Sequence, residues 1–190
     1  MSTPSSPSIL AFAGSARKAS LNRKLLAIAV EETRTAGATV TLLDLNGFAL
    51  PLYHGDLEDE SGMPEAAQRL VKLITEHDGL LIASPEYNSQ ITPLLKNTFD
   101  WCSRADENPF AGKVAAVISA SPGPYGAVRS CAMTHQLLDK LGVLVIPATS
   151  NLAKAGEAFD DAGKLKNERS EQSVRAVAAA LVATARKLRP

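Results

Sequence analysis

A chain of 190 residues with 45% apolar content can build one sizeable core and is too apolar to stay disordered. Its 20 basic residues balance 20 acidic ones, which argues against a general nucleic-acid binder, whose affinity comes largely from neutralising phosphates. The two cysteines, Cys102 and Cys131, make neither a metal-ligand spacing nor a disulfide framework, so a reducing compartment is the simpler reading.

The opening segment, MSTPSSPSILAFAG, has no basic stretch and too short an apolar run for a signal peptide. No stretch approaches the roughly 18 apolar residues of a membrane span, so the expected location is cytoplasmic, without membrane contact. From there, short apolar runs alternate with helical patterns. Ser8–Ala13 (SILAFA) reads as a first strand, and Leu21, Leu25, Ile28 and Ala29 mark the face of a first helix. Residues 39–45 (TVTLLDL) alternate, as an edge strand does. Residues 46–63, with Pro51, Tyr53, His54 and Gly62, fit no element and read as an excursion over the surface.

Ala66, Leu70, Leu73 and Ile74 give a second helix, with Pro64 near its start. Residues 79–84 (GLLIAS) make the next strand, and Thr92-Pro93 opens a helix over 92–104. Val114–Ala120 (VAAVISA) is a strand, followed by a helix through Val128, Cys131, Ala132, His135 and Leu138 that Gly142 ends. Residues 143–148 (VLVIPA) read as the last strand, 151–167 as a second surface excursion, and Val174 to Leu188 as the last helix. Continuous apolarity marks strands covered on both faces. The pattern therefore predicts an α/β three-layer sandwich with a five-stranded parallel sheet in the flavodoxin-like order 2-1-3-4-5. No repeat and no linker divides the chain.

Open α/β sheets bind ligands beyond the carboxyl ends of their strands, at the switch in strand order. That rule brings together the loops at 14–22, 85–92 and 120–127. In the first, Gly14 permits a sharp turn. Ser15, Ser20 and Asn22 offer donors, Arg17 offers a guanidinium fork, and the helix starting near Leu21 aims free amides at the same point. This is what an anionic phosphate needs, although the same residues also make a plain glycine turn with Ser20 as an N-cap. GxxxxGK[ST] and GxGxxG are absent, and Ala13, Gly14 and Ser15 replace the acidic residues of a receiver domain.

In the second loop, Pro85 stiffens the exit, the amides of Glu86, Tyr87 and Asn88 can meet the polar edge of a flavin, and Tyr87 can lie against its flat ring. Pro and Asn are also ordinary turn formers. In the third, Gly123 and Gly126 allow a planar ligand to approach, or only solve a βα turn.

GSARKASLN (14–22), SPEYNSQITPLLKNTFDW (84–101) and SASPGPYGAVRS (119–130) together resemble the NAD(P)H-dependent FMN reductase family of flavodoxin-like quinone, azo-dye and chromate reductases. The resemblance runs over essentially the whole chain and implies one FMN-binding domain over residues 1–190. It implies that Ser15, Arg17, Ser20, Leu21 and Asn22 bind the FMN phosphate. Pro85, Glu86, Tyr87 and Asn88 would support the ring, and Ser121, Pro122 and Gly123 would line the ring and ribityl surroundings. Two departures stand where nicotinamide and acceptor would stack: Thr92-Pro93 replaces a common Pro-Gly, and Pro124-Tyr125 replaces a more glycine-rich loop. Tyr125 would narrow the space above the ring.

The implied function is hydride transfer from NADPH or NADH to bound FMN, then to a small-molecule electron acceptor such as a quinone. The cofactor carries that chemistry, so no catalytic acid or base and no metal is assigned. Three alternatives use the same pocket: a flavodoxin-type electron carrier, a flavin-binding regulatory protein without turnover, and an FMN reductase releasing reduced flavin. The charge balance counts against the typically acidic carrier. His77 and His135 read as structural, and His54 as solvated or reaching a neighbouring flavin. The resemblance also implies a homodimer or homotetramer, with 46–63 and 92–104 as the candidate contact.

Overall fold

The computed structural model describes residues 6–189. The readings of the chain's start and of the full extent 1–190 therefore fall partly on residues 1–5 and 190, outside the described residues. The first half holds β1 (Ser8–Ala13), α1 (Leu21–Thr35), β2 (Thr39–Leu43), α2 (Gly55–Ser61), α3 (Glu65–Glu76) and β3 (Gly79–Ala83). A small hairpin follows, β4 (Glu86–Tyr87) and β5 (Gln90–Ile91), then α4 (Pro93–Cys102) and β6 (Val114–Ala120). The chain closes with α5 (Val128–Lys140), β7 (Leu144–Val145), β8 (Ser150–Leu152) and α6 (Glu168–Leu188).

The main sheet is parallel throughout and runs β2-β1-β3-β6, with β7 and β8 both beside β6. Successive residues of the central strands feed opposite cores. Ile9, Ala11, Leu81, Ala83, Ala116 and Ile118 pack with residues of α1 and α6, among them Leu25, Ala29, Val177 and Leu181. Leu10, Phe12, Leu80, Ile82, Ala115 and Val117 pack with residues of α3, α4 and α5, among them Leu70, Phe99 and Leu138. Both faces are covered, which is why these strands read as unbroken apolar runs. The order 2-1-3-4-5 holds, and the sheet is the three-layer, flavodoxin-like one.

The fifth position is filled by two strands rather than one, so the sheet has six strands where five were expected. The break falls at Pro147. The amides of Leu144 and Ile146 donate to Lys113 O and Ala115 O at 2.8 and 2.9 Å, so the next acceptor in that series is Val117 O. The next donor in register would be the Ala148 amide, but the chain bends at Pro147. The Thr149 hydroxyl donates to Val117 O instead, at 2.7 Å, and pairing with β6 resumes at Ser150.

The two irregular segments differ. Residues 46–63 do run over the surface, as expected, but carry α2 and are pinned to α4. Pro51 O accepts from Asn97 Nδ2 and Trp101 Nε1, and the Tyr53 amide donates to Asn97 Oδ1, all within 2.8–2.9 Å. Residues 151–167 are not a surface excursion. They begin in β8 and bury Leu152, Ala155, Phe159 and Leu165 in the α1–α6 core. Their apolar residues follow no single period, so pattern alone did not show the burial. No helix among the described residues is long and apolar enough to cross a membrane.

Candidate functional site

At the carboxyl ends of β1, β3 and β6 the three loops meet around a cleft of about 240 Å³. It is lined by Ser15, Arg17, Ser20, Leu21 and Asn22 from the first loop, Pro85, Glu86 and Tyr87 from the second, and Ala120, Ser121 and Pro122 from the third. A larger groove of about 530 Å³ lies between the β5–α4 turn and α5, over Ile91, Pro93, Met133 and Leu137. Size does not select the site. Only the smaller cleft sits at the switch in strand order and gathers hydroxyls, a guanidinium and helix-start amides.

The first loop leaves β1 at Gly14. Gly14 has no positive φ, and its need is space: a Cβ there would lie 2.8 Å from Leu95 Cβ. The Thr92 hydroxyl, the N-cap of α4, donates to Gly14 O at 2.6 Å and ties this loop to α4. Ser20 caps α1 by accepting from the Arg23 amide at 3.2 Å, and its own O–H remains to donate outward. The amides of Leu21 and Asn22 open the helix and have no intrahelical acceptor. Arg17 is exposed, and no ion pair among the described residues includes it. The Ser15 hydroxyl accepts from the Arg17 amide at 3.4 Å.

Asn22 is a different case. Its side chain is buried and tied to β6: Nδ2 donates to Ala120 O at 2.8 Å, and Oδ1 accepts from the Ala120 amide at 3.0 Å. The carboxamide stitches the first loop to the end of β6, and its second N–H remains beside the Asn22 backbone amide.

The second loop is the β4–β5 hairpin. Asn88 and Ser89 have φ of 52° and 66°, the two left-handed positions of a two-residue turn. Asn88 therefore serves as a turn former at the hairpin tip and does not line the cleft. Glu86 is held firmly. Its Oε2 accepts from the Arg129 and Ser130 amides, and its Oε1 from the Arg129 guanidinium, each at 3.1 Å. The Ser130 hydroxyl donates to Pro85 O at 2.6 Å. Behind it, the fully buried hydroxyls of Ser84 and Thr134 continue the network, with Ser84 Oγ 2.6 Å from Ser130 Oγ and 2.8 Å from Thr134 Oγ1.

The third loop is clasped to the segment after β8. The Ser121 amide donates to Leu152 O, the Ala155 amide to Ser121 O and the Lys154 amide to Gly123 O, at 2.9–3.0 Å. Gly123 does not line the cleft, and a Cβ there would meet only Ser121 Oγ at 3.5 Å. Gly126 is the constrained one, with φ of 59° and a would-be Cβ 2.7 Å from the Asn151 backbone. Tyr125 is exposed and stacks with the Arg129 guanidinium, 5.0 Å from the ring centroid.

Sequence reasoning missed Ala120, Arg129 and Ser130. Ala120 acts through its backbone, and Arg129 and Ser130 act through backbone amides as well as side chains, on partners far away in sequence. One signal was present: α5 starts at Ala127-Val128 with no capping side chain of its own, so its cap must come from elsewhere. His54 caps α2, its Nδ1 accepting from the Leu57 amide at 3.2 Å. His77 bridges Leu73 O and Thr41 Oγ1. Burial pushes the Cys102 thiol up to about 12 and lowers the His135 imidazole, and neither lines the cleft. Glu86, the one carboxylate among the described residues lining the cleft, is committed to α5. The uncommitted Arg17, the hydroxyls and the α1 amides fit a phosphate, and the hairpin offers a polar edge beside the exposed Tyr87 ring.

Known proteins fit this geometry. The sequence pattern that describes NADPH-dependent FMN reductases matches residues 7–157. The chain is 35% identical over 182 residues to an NAD(P)H-dependent FMN reductase of Pseudomonas aeruginosa, covering 95% of this chain and 96% of the relative. It is 37% identical over 186 residues to an NAD(P)H:quinone oxidoreductase of Solanum tuberosum, covering 95% and 94%. Among solved structures, the flavoenzyme NAD(P)H:(acceptor) oxidoreductase FerB of Paracoccus denitrificans superposes with a TM-score of 0.80 at 29% identity, over 95% of this chain and 98% of that one.

Proposed function

Because the chain belongs to the NADPH-dependent FMN reductase family, we propose that it is a reductase that holds FMN in the three-loop cleft and passes reducing equivalents from NAD(P)H to quinone-like or other small electrophilic acceptors. The observation that carries this reading is the convergence of Ser15, Arg17, Ser20 and the α1 amides with Pro85–Tyr87 and Ser121–Pro122 around one cleft. FMN supplies hydride acceptance and donation, and the chain supplies position and electrostatics. Arg17, Ser15 and Ser20 grip the phosphate together with the amides of Leu21 and Asn22. The hairpin backbone meets the ring edge, and Tyr87 lies beside it. Relatives named as FMN reductase and as quinone oxidoreductase both support small acceptors.

The test is the visible spectrum of the purified protein, before and after anaerobic NADPH or NADH. Flavin bands that bleach support the reductase. A flavin that stays oxidised with both donors moves the reading to a carrier or a regulatory protein. A colourless protein that cannot be loaded with FMN removes the site assignment. We place the protein in the cytoplasm, a reading supported by two free, buried cysteines. We infer a homodimer or homotetramer in contact through 46–63 and 92–104, two segments already pinned to each other through Asn97 and Trp101. Sedimentation as a monomer with FMN fully bound would remove that interface.

A further inference from the structure

We propose that the Glu86 carboxylate and the Ser130 hydroxyl are positioning groups that together aim the Glu86 N–H into the cleft, where it donates to the edge of the flavin ring. The inference rests on FMN occupying this cleft and concerns how the chain holds one donor for it.

The argument starts with the peptide unit joining Pro85 and Glu86. Among the described residues no peptide bond is cis. In a planar trans unit the C=O and N–H point in opposite directions. The Ser130 hydroxyl takes the Pro85 carbonyl at 2.6 Å, which turns the Glu86 N–H away from α5. The hydroxyl cannot swing freely, because Ser130 is fully buried and its oxygen also meets Ser84 Oγ.

The hairpin leaves that N–H unspent. Tyr87 and Gln90 flank the two-residue turn, and Glu86 pairs with Ile91 one step out. Antiparallel pairs alternate between hydrogen-bonded and non-bonded. The pair that closes a two-residue turn is bonded, so the Glu86–Ile91 pair is not, and the Glu86 amide points outward from the hairpin.

The carboxylate then fixes the residue from its other end. The amides it binds, those of Arg129 and Ser130, are the second and third of α5, a helix whose cap residue Ala127 has no donor or acceptor side chain. Glu86 supplies the missing cap from the hairpin, and α5 in return sets the position of Glu86. The backbone carbonyl before Glu86 and the side chain after it are thus both bonded to one helical turn, leaving the intervening N–H a single direction.

The experiment measures FMN affinity and the midpoint potential of bound FMN in the wild type, Glu86→Ala, Glu86→Gln and Ser130→Ala, with circular dichroism to show that each is folded. Glu86→Ala and Ser130→Ala should bind FMN about tenfold more weakly. They should also shift the potential, by about 30 mV for a tenfold difference in grip between the two redox states. Glu86→Gln keeps an oxygen for the two amides and should return both readouts toward wild type. A role in folding alone would lower the melting temperature and leave the potential where it was. Folded Glu86→Ala protein with wild-type affinity and potential overturns the proposal. If Ser130→Ala does not fold, the two Glu86 variants decide. A wild type that takes up no FMN would remove the reading of the cleft itself, a result separate from any difference among the variants.

Discussion

α1 and α5 both begin beside the cleft, one capped by its own Ser20, the other by a carboxylate 43 residues upstream of Arg129. Each helix start carries a partial positive charge of about half a unit, spread over amides without helical partners. In α1 the first amides are left open, with an uncommitted Arg17 alongside. In α5 the corresponding amides are consumed by Glu86 and cannot serve an outside anion. One device therefore has two settings: at α1 it leaves amides open toward the cleft, and at α5 it fastens a loop. Chemically similar helix starts differ in function because one is satisfied within the chain and the other is not.

The largest test of this contrast is Asn22→Ala. It leaves both polar groups of the Ala120 backbone buried and unmatched, at about 1–3 kcal/mol each before relaxation. A loss of about 2–4 kcal/mol in urea unfolding is expected, and a loss below about 1 kcal/mol would mean that the loops hold together without the stitch. Arg17→Ala should weaken FMN binding by about 1.5–3 kcal/mol, roughly ten- to a hundredfold, because a charge-assisted phosphate contact is lost. The apo protein's melting temperature should not move, since Arg17 is exposed. Unchanged FMN affinity would return α1 to the status of an ordinary capped helix. Ser20→Ala should cost about 1 kcal/mol of apo stability through the lost cap, read by urea denaturation.

The smallest effect is a pH dependence that belongs to α5. Burial lowers the His135 pKa, and among the described residues its Nε2 is buried without a hydrogen-bond partner. A base with a depressed folded pKa binds its proton in the unfolded chain first. Stability should therefore fall as pH drops through the unfolded value of about 6.5, while above it His135 is neutral in both states. His135→Gln should flatten this slope between pH 8 and 5.5. An equal slope in both proteins would assign the acid sensitivity to other groups.

Much of the fold was legible because β1, β3 and β6 are covered on both faces and so read as continuous apolar runs. The meeting of the three loops followed from strand order alone. What stayed hidden depended on partners distant in sequence. Asn22 has the residue type of a phosphate donor, and nothing local shows that Ala120 takes its carboxamide. Glu86 was read for its amide, while its carboxylate caps a helix far along the chain. Asn88 was read as a ring donor, and the left-handed φ that also makes it a turn former is a property of the folded hairpin. Pro147 was in view within 143–148, but that pairing breaks there and resumes at Ser150 shows only beside β6.

The bond between Asn22 and Ala120 spans 98 residues, and it places a condition on biogenesis. Closing so long a loop carries an entropic cost that is recovered only when β6 docks beside β3. The first loop emerges early in synthesis, yet its position is set by a strand made much later. A nascent chain halted before residue 120 is therefore expected to capture no flavin, even with its first loop fully exposed, and ribosome-bound truncations on either side of that point would show it. That outcome would place flavin loading after completion of the sheet and rule out the flavin as a template for the first half.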